Sequence, residues 1–422
     1  MKVLVIGGGG REHTLCWKIF QNPEVQDIFC IPGNAGIQNI AHCAKIPCEK
    51  DFSQVAQFIK ENKIDLTIVG PEAPLADGIV DVFGEEGLKI FGPTKEAARL
   101  ETSKVYAKNF MKKYAIPTAR FETFSALDKA LTYIDKQDEP PVVKVDGLAG
   151  GKGAFVAKSK EVAMDACRKI IQDKIFGLAG ERIVIEEKLK GGEISFFVLT
   201  DGKSVKPLVS SKDHKPLYDK GRGPNTGGMG AFSPAPLKPY LFRKIMKRVV
   251  IPTLQGLKKE KIVYKGVLYF GLMIYSGEPF VLEYNCRFGD PETQVTLPRL
   301  GSDVVDIFQA IDQEMLETID LRWRSRAATC VVLASGGYPD SYEKGKIIKG
   351  LDEVSKIKNV FTFYAGVKRE NKNFLTDGGR VMGITGMGKN LKESAKAAYR
   401  AIQKIYFEGM HYRKDIGCTR GY

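Results

Sequence analysis

Residues 280–294 read FVLEYNCRFGDPETQ, an apolar run that ends on Glu283, Asn285 and Arg287 at every second position and then turns at Asp290-Pro291. Side chains of an extended chain alternate faces with a period of two. The spacing therefore predicts a strand with Val281, Glu283, Asn285 and Arg287 on one face and Leu282, Tyr284 and Cys286 on the other. A carboxylate beside an amide oxygen offers Mg2+ two hard ligands and leaves its other octahedral positions to phosphate oxygens and water. A guanidinium two residues on can hold the same phosphates as a planar fork. The stretch also suits an antiparallel strand with one solvated face, and alone it leaves both readings open.

Working outward, VLYFGLMIY at 267–275 supplies an apolar strand to pair with it. Further upstream, DHKPLYDKGRGPNTGGMGAFSPAP at 213–236 reads as a loop too long, polar and glycine-rich to be a mere connection. RIVIEEKL at 182–189 is a strand, and Gly192-Glu193-Ile194-Ser195 opens another. VVKVDGLAGGKGAFVA at 142–157 reads as two strands joined by a glycine-rich turn that carries Lys152. Such a turn can close backbone donors and one cation onto phosphate, although it is not a Walker loop and also suits a plain hairpin.

The first hundred residues alternate strand and helix, which predicts a doubly wound parallel sheet. Its loops GGGGREH, PGNAG and GPEAP fall at the carboxyl ends of the strands, where such sheets bind ligands. A dinucleotide fingerprint fails twice: it needs glycine at Glu12, and the second strand ends in Pro32-Gly33-Asn34 with no acid for a ribose hydroxyl. Gly7 to Gly10 alone fits a phosphate or sugar-phosphate loop or a structural turn, and a nicotinamide site less well.

At 422 residues and 43% hydrophobic content, the chain has enough material for two to four cores. Its apolar runs are far too short for a membrane span and its start does not resemble a signal peptide, so a cytoplasmic protein is expected. Eight scattered cysteines point to reduced thiols, and four histidines argue against a histidine-rich metal centre. The net charge of +14 is spread through amphipathic segments without an aromatic-basic motif. It reads as a solvated surface first, an attractor of small anionic substrates second, and a nucleic-acid site least of all.

Together these pieces resemble the glycinamide ribonucleotide synthetase family, ATP-grasp ligases of purine biosynthesis that join glycine to 5-phosphoribosylamine. The resemblance runs nearly the whole chain, from VLVIGGGGREH through GPEAPL, IFGPTKEAARLE, DGLAGGKG, IVIEE, GPNTGGMGAFSPAP and EYNCRFGDPETQ to GGYP and DGGRV. GPNTGGMGA followed some fifty residues later by NCRFGDPETQ is its most specific part.

The resemblance implies a multidomain α/β and α+β protein. An N-terminal α/β domain would cover 1–101, an ATP-grasp domain 102–326 with a lid at 123–190, and a strand-rich C-terminal domain 327–422. It implies ATP as co-substrate, Mg2+ or Mn2+ on Glu283 and Asn285, and small-molecule partners only, in a monomer. Lys104, Lys144, Gly151, Lys152 and Gly153 would meet ATP, with Glu186, the backbones of Glu187 and Leu189, and Glu193 around adenine and ribose. Arg287, Asp290 and Asp213 would serve the chemistry. Asn225, Thr226, Gly227, Gly228, Met229 and Gly230 would line the glycine and sugar-amine site, and Gly9, Arg11, Glu12 and Glu72 would hold the sugar amine.

Two departures stand out. The strand at 267–275 carries no acidic metal ligand, so the nucleotide is expected to help hold the ion. KPLYDKGR also stands where a more acidic stretch is expected.

Overall fold

The computed structural model describes residues 1–418. The alternating N-terminal pattern forms a five-stranded parallel sheet with Lys2–Gly7 at its centre, between Asp27–Pro32 and Leu66–Val69. His42–Cys43 and Ile90–Phe91 form the edges. Val3 and Val5 pack into one core and Leu4 and Ile6 into another, so the central strand is apolar on both faces, as a covered parallel sheet requires. After strand Leu66–Val69 the chain forms two short helices, and Gly78 at φ 94° separates Glu72–Asp77 from Ile79–Glu85. Glycine takes that left-handed conformation without a Cβ penalty.

Two four-stranded antiparallel sheets follow. One orders Val205–Pro207, Gly192–Asp201, Lys265–Tyr275 and Glu278–Asn285; the other orders Phe121–Phe124, Ile183–Glu186, Val142–Val145 and Ala154–Val156. Helix Lys104–Lys113 is fixed to the second by Asp146, whose Oδ1 accepts from the Val105 N–H and the Ser103 hydroxyl, both at 2.8 Å.

The strand Glu278–Asn285 departs from strict alternation. Leu272 faces Val281 and Gly271 faces Glu283, so Leu282 is an extra residue in a β-bulge. The bulge changes the phase. Val281 packs in the core with Tyr284 and Cys286, instead of sharing a face with Glu283 as the sequence suggested. Glu283, Asn285 and Arg287 remain together on the open side.

The segment 213–236 is likewise more ordered than a loop. Lys212–Asp213 and Gly230–Ser233 pair with each other and extend a five-stranded sheet containing Ala327–Ala334, Arg380–Gly388 and Val360–Tyr364. Between them Pro216–Tyr218 and Arg222–Asn225 form a hairpin. Helix Leu391–Ile402 packs on this sheet, and beyond it Phe407 and Ile416 are fully buried.

Helix Val304–Asp312 joins the first sheet to the centre. Phe308 is fully buried, its ring 4.2 Å from that of Phe91 and 6.4 Å from that of Phe288. Replacing Phe308 by Ala is expected to cost about 3–5 kcal/mol through the cavity left behind. Urea denaturation is the check, with Phe308→Leu losing less than Phe308→Ala.

Candidate active site

The Gly7–Gly9 turn, the lid glycines, the 225–227 loop and the end of the strand Glu278–Asn285 enclose a cleft of about 460 Å³. On its floor the Lys215 ammonium donates to Glu283 Oε1 at 2.8 Å. The lysine's charge holds the Glu283 carboxyl well below the usual carboxylate range, against the effect of burial. Oε2 has no partner among the described residues, so a charged oxygen stays available beside the Asn285 amide. This pair suits a hard divalent cation that completes its sphere with phosphate and water. Among the described residues no set of three His, Cys, Asp or Glu side chains forms a metal centre by itself.

Arg287 is not an unengaged fork. Its Nη2 pairs with Glu101 at 2.7 Å and its Nε with Glu72 at 3.1 Å, while Glu101 also accepts from the Cys286 N–H at 2.6 Å. Arg287, with Arg11 in support, draws the Glu72 carboxyl down to about 2 although burial pushes the other way. Lys215 and Glu101 were missed from sequence. Lys215 sits in the DHK of the glycine-rich segment, and Glu101 lies in helix Lys95–Thr102 with no local signal of its role.

In the segment 142–187 several charged side chains are engaged within the protein. Glu186 is buried and ion-paired with both Lys108 and Lys144, the latter at 2.5 Å. Burial resists its charge, but the two lysines outweigh that and hold the carboxyl below its ordinary range. Both of its oxygens are therefore engaged by lysines. Lys144 also donates to the Leu282 carbonyl at 3.0 Å, which stitches the lid to the bulge. The Glu187 carboxylate pairs with Arg120 at 2.8 Å, and Leu189 is half-buried in the connection that follows. Glu193 is exposed on its strand, opposite Met273.

Lys104 lines the cleft with Gly151 and Gly153. Burial draws its ammonium below the ordinary range while the Glu283 charge opposes that. Lys152, expected at phosphate, instead donates to the Pro339 carbonyl at 2.7 Å.

At the other end, helix Gly10–Ile19 starts against carboxylates. Glu12 Oε2 accepts from the Gly9 N–H at 2.6 Å, and Asp290 Oδ2 accepts from the Arg11 N–H at 3.1 Å. Arg11 is buried, bonded to Glu12 at 2.5 Å and to the Phe288 carbonyl at 3.1 Å. The Gly9 and Arg11 N–H groups at this turn are thus engaged within the protein.

Asp213, Asn225, Thr226, Gly227 and Asp290 line the cleft. Burial, reinforced by the Glu292 charge, pushes the Asp213 carboxyl up. Gly228 packs against Pro291 and Asp213 just behind the wall. Met229 and Gly230 do not reach it: Met229 is buried with Leu217 and Ala334, and Gly230 begins a sheet strand against Val331. Glu292 and Arg380 also line the cleft and were missed.

Two antiparallel sheets around a cleft with Glu-x-Asn on one strand, after a parallel sheet and before a third sheet, define the ATP-grasp ligase architecture. The chain belongs to the phosphoribosylglycinamide synthetase family. Family models match the N domain at residues 1–101, the ATP-grasp (A) domain at 102–293 and the C domain at 328–419.

Phosphoribosylamine–glycine ligase of Caldanaerobacter subterraneus is 46% identical over 99% of both chains. That of Vibrio parahaemolyticus is 47% identical over 99% of this chain and 98% of its own. The crystal structure of the Thermotoga maritima ligase superposes with a TM-score of 0.86 at 36% identity, covering 98% of this chain and 100% of the other. The biotin carboxylase domain of Hydrogenobacter thermophilus 2-oxoglutarate carboxylase shares the fold, with a TM-score of 0.72 at 14% identity over 97% of this chain and 91% of its own.

The Glu72 pair carries a pH signature. Its folded value of about 2 lies below the ordinary 4.5. The stabilisation is therefore present above pH 4.5 and is lost as pH falls through 2. Glu72→Gln is expected to be less stable than the parent at neutral pH, with the gap shrinking once pH drops below 4.5. Urea midpoints at descending pH test this; a gap that does not narrow contradicts the pairing.

Proposed function

We propose that the protein joins glycine to 5-phosphoribosylamine with ATP, yielding glycinamide ribonucleotide, ADP and phosphate in de novo purine biosynthesis. The observation that carries this reading is one cleft formed by Glu283, Asn285, the lid glycines and the 225–227 loop in a chain matched by the family from domain to domain.

The chemistry has a necessary order. A carboxylate is a poor electrophile until one oxygen becomes a leaving group, so glycine first takes the γ-phosphoryl group as glycyl phosphate. The sugar amine then displaces phosphate. Glu283 and Asn285 would hold Mg2+ or Mn2+, which neutralises phosphate charge when bound.

The protein's own part is positioning, neutralisation and exclusion of water. Lys104 faces the nucleotide phosphates, and Lys152 exchanges Pro339 for them when the lid closes. The backbone from Glu187 to Leu189, with Glu193, receives adenine and ribose, while Glu186 and Lys144 fix the strand that presents them. Arg287, aimed by Glu72 and Glu101, faces the transferring phosphoryl group. Asp213, Asn225, Thr226, Gly227 and Asp290 form the amine side, with Gly9, Arg11 and Glu12 behind Asp290. We read the enzyme as a cytoplasmic monomer acting on small molecules. No helix of the described residues is long and apolar enough to cross a membrane.

ADP and phosphate release should require glycine and freshly generated phosphoribosylamine together. Folded protein without that turnover contradicts the assignment. Glu283→Gln is expected to lower turnover by orders of magnitude without unfolding the chain. Lys152→Ala is expected to raise KM for ATP and leave KM for glycine unchanged.

A further inference from the structure

Five cationic side chains line the cleft: Arg11, Lys104, Lys215, Arg287 and Arg380. Three already face close carboxylates, Arg11 on Glu12 at 2.5 Å, Lys215 on Glu283 at 2.8 Å and Arg287 on Glu101 at 2.7 Å. Lys104 belongs to the metal end, where Glu283 and Glu101 act on it. Arg380 differs from all four. Its Nη1 donates to the carbonyls of Gly227 at 2.6 Å and Asp290 at 2.9 Å, and its nearest carboxylate oxygen, Asp290 Oδ1, is 3.4 Å away. Its Nε and Nη2 have no bonded partner among the described residues.

The fold holds this guanidinium in place. Arg380 faces Ala334 and Met382 faces Leu333, so Val381 is an extra residue in a second bulge, a device that re-aims the neighbouring side chain. A Cβ on Gly227 would lie 3.1 Å from the Arg380 Cζ, so the guanidinium rests directly on a glycine of the 225–227 loop. One nitrogen anchors it while two others stay uncommitted.

The sugar amine carries a phosphate monoester, largely dianionic near neutral pH, and a planar two-donor edge is its matching receptor. The rival receptor, the start of helix Gly10–Ile19, has its Gly9 and Arg11 N–H groups bonded to Glu12 and Asp290. We infer that Arg380, presented by the C-terminal sheet, binds the phosphate of the sugar-amine substrate and makes the ligase select phosphorylated over unphosphorylated amines. This rests on the ligase reading above and adds to it the group that sets substrate choice.

The test compares phosphoribosylamine with ribosylamine, each generated from the sugar and ammonia, in ATP- and glycine-dependent ADP release. The parent enzyme is expected to favour the phosphorylated amine in kcat/KM. Arg380→Gln should reduce that preference by about 10- to 100-fold, the worth of a charge-assisted hydrogen-bonding pair, with KM for ATP and glycine unchanged. Arg380→Lys, which keeps the charge and loses the fork, should recover part of the preference.

Equal slowing of both amines in both variants assigns Arg380 to support of the Gly227 loop and overturns the inference, as does a parent enzyme indifferent to the phosphate. A parent protein that ligates neither amine overturns the ligase reading and this inference with it.

Discussion

The Arg287 guanidinium joins three parts of the chain at one point. Glu72 comes from the first helix after the parallel sheet's fourth strand, Glu101 from the helix that leads into the central region, and Arg287 from the end of the bulged strand. A buried charge left unpaired is costly, whereas one held by two carboxylates with fixed geometry is tolerated and directional. The arginine thus sets where the N-terminal sheet stands relative to Glu283 and Asn285. Moving either sheet without the other would strand a charge.

The same rule recurs around the cleft. Lys215 faces Glu283, Arg11 faces Glu12, and Lys108 and Lys144 face Glu186. Polyanionic substrates therefore meet cations already held in place, so little side-chain entropy is lost when they arrive. The pairing also divides the labour. Lys108 and Lys144 are paired with Glu186, while Lys104 and Lys215 line the cleft. Lys104 is the clearest wall lysine, because its helix is fixed through Ser103 and Asp146 rather than through its own ammonium.

Much of this was legible in sequence, and the failures have a common physical cause. The parallel sheet, the glycine turns and the Glu-x-Asn spacing follow from local periodicity and turn chemistry, which neighbouring residues determine. The face of Val281 does not: the bulge at Leu282 exists only in register with Gly271 of the partner strand, where a side chain would come within 3.2 Å of Glu283. Partners distant in sequence were equally hidden. Lys215 and Glu283 are 68 residues apart, Arg287 and Glu72 215, and Arg380 and Asp290 90. Met229 was misplaced because a glycine-rich polar setting suggested an open loop, whereas the apolar side chain is taken up by a small core.

The placement of the 225–228 loop explains why its glycines are there. Both flanks of the segment, Lys212–Asp213 and Gly230–Ser233, are strands of the C-terminal sheet, so the loop is fixed at each end before it reaches the cleft. Within it Gly228 has φ 111°, and a Cβ there would fall 2.5 Å from Pro291 Cδ and 2.8 Å from Asp213 Oδ1. Any side chain would push apart Asp213 and the Asp290-Pro291 turn, two pieces the cleft needs side by side. Gly227 makes the corresponding approach to Arg380, and a Cβ on lid residue Gly151 would lie 3.6 Å from Gly227 Cα. The 142–157 turn, the 225–228 loop and Arg380 of the C-terminal sheet therefore meet in close contact, and Gly228 is where that fit leaves no room for a side chain. Lys152, bonded to Pro339 across the same junction, ties the glycine-rich turn at 142–157 to the chain that follows strand Ala327–Ala334 of the C-terminal sheet.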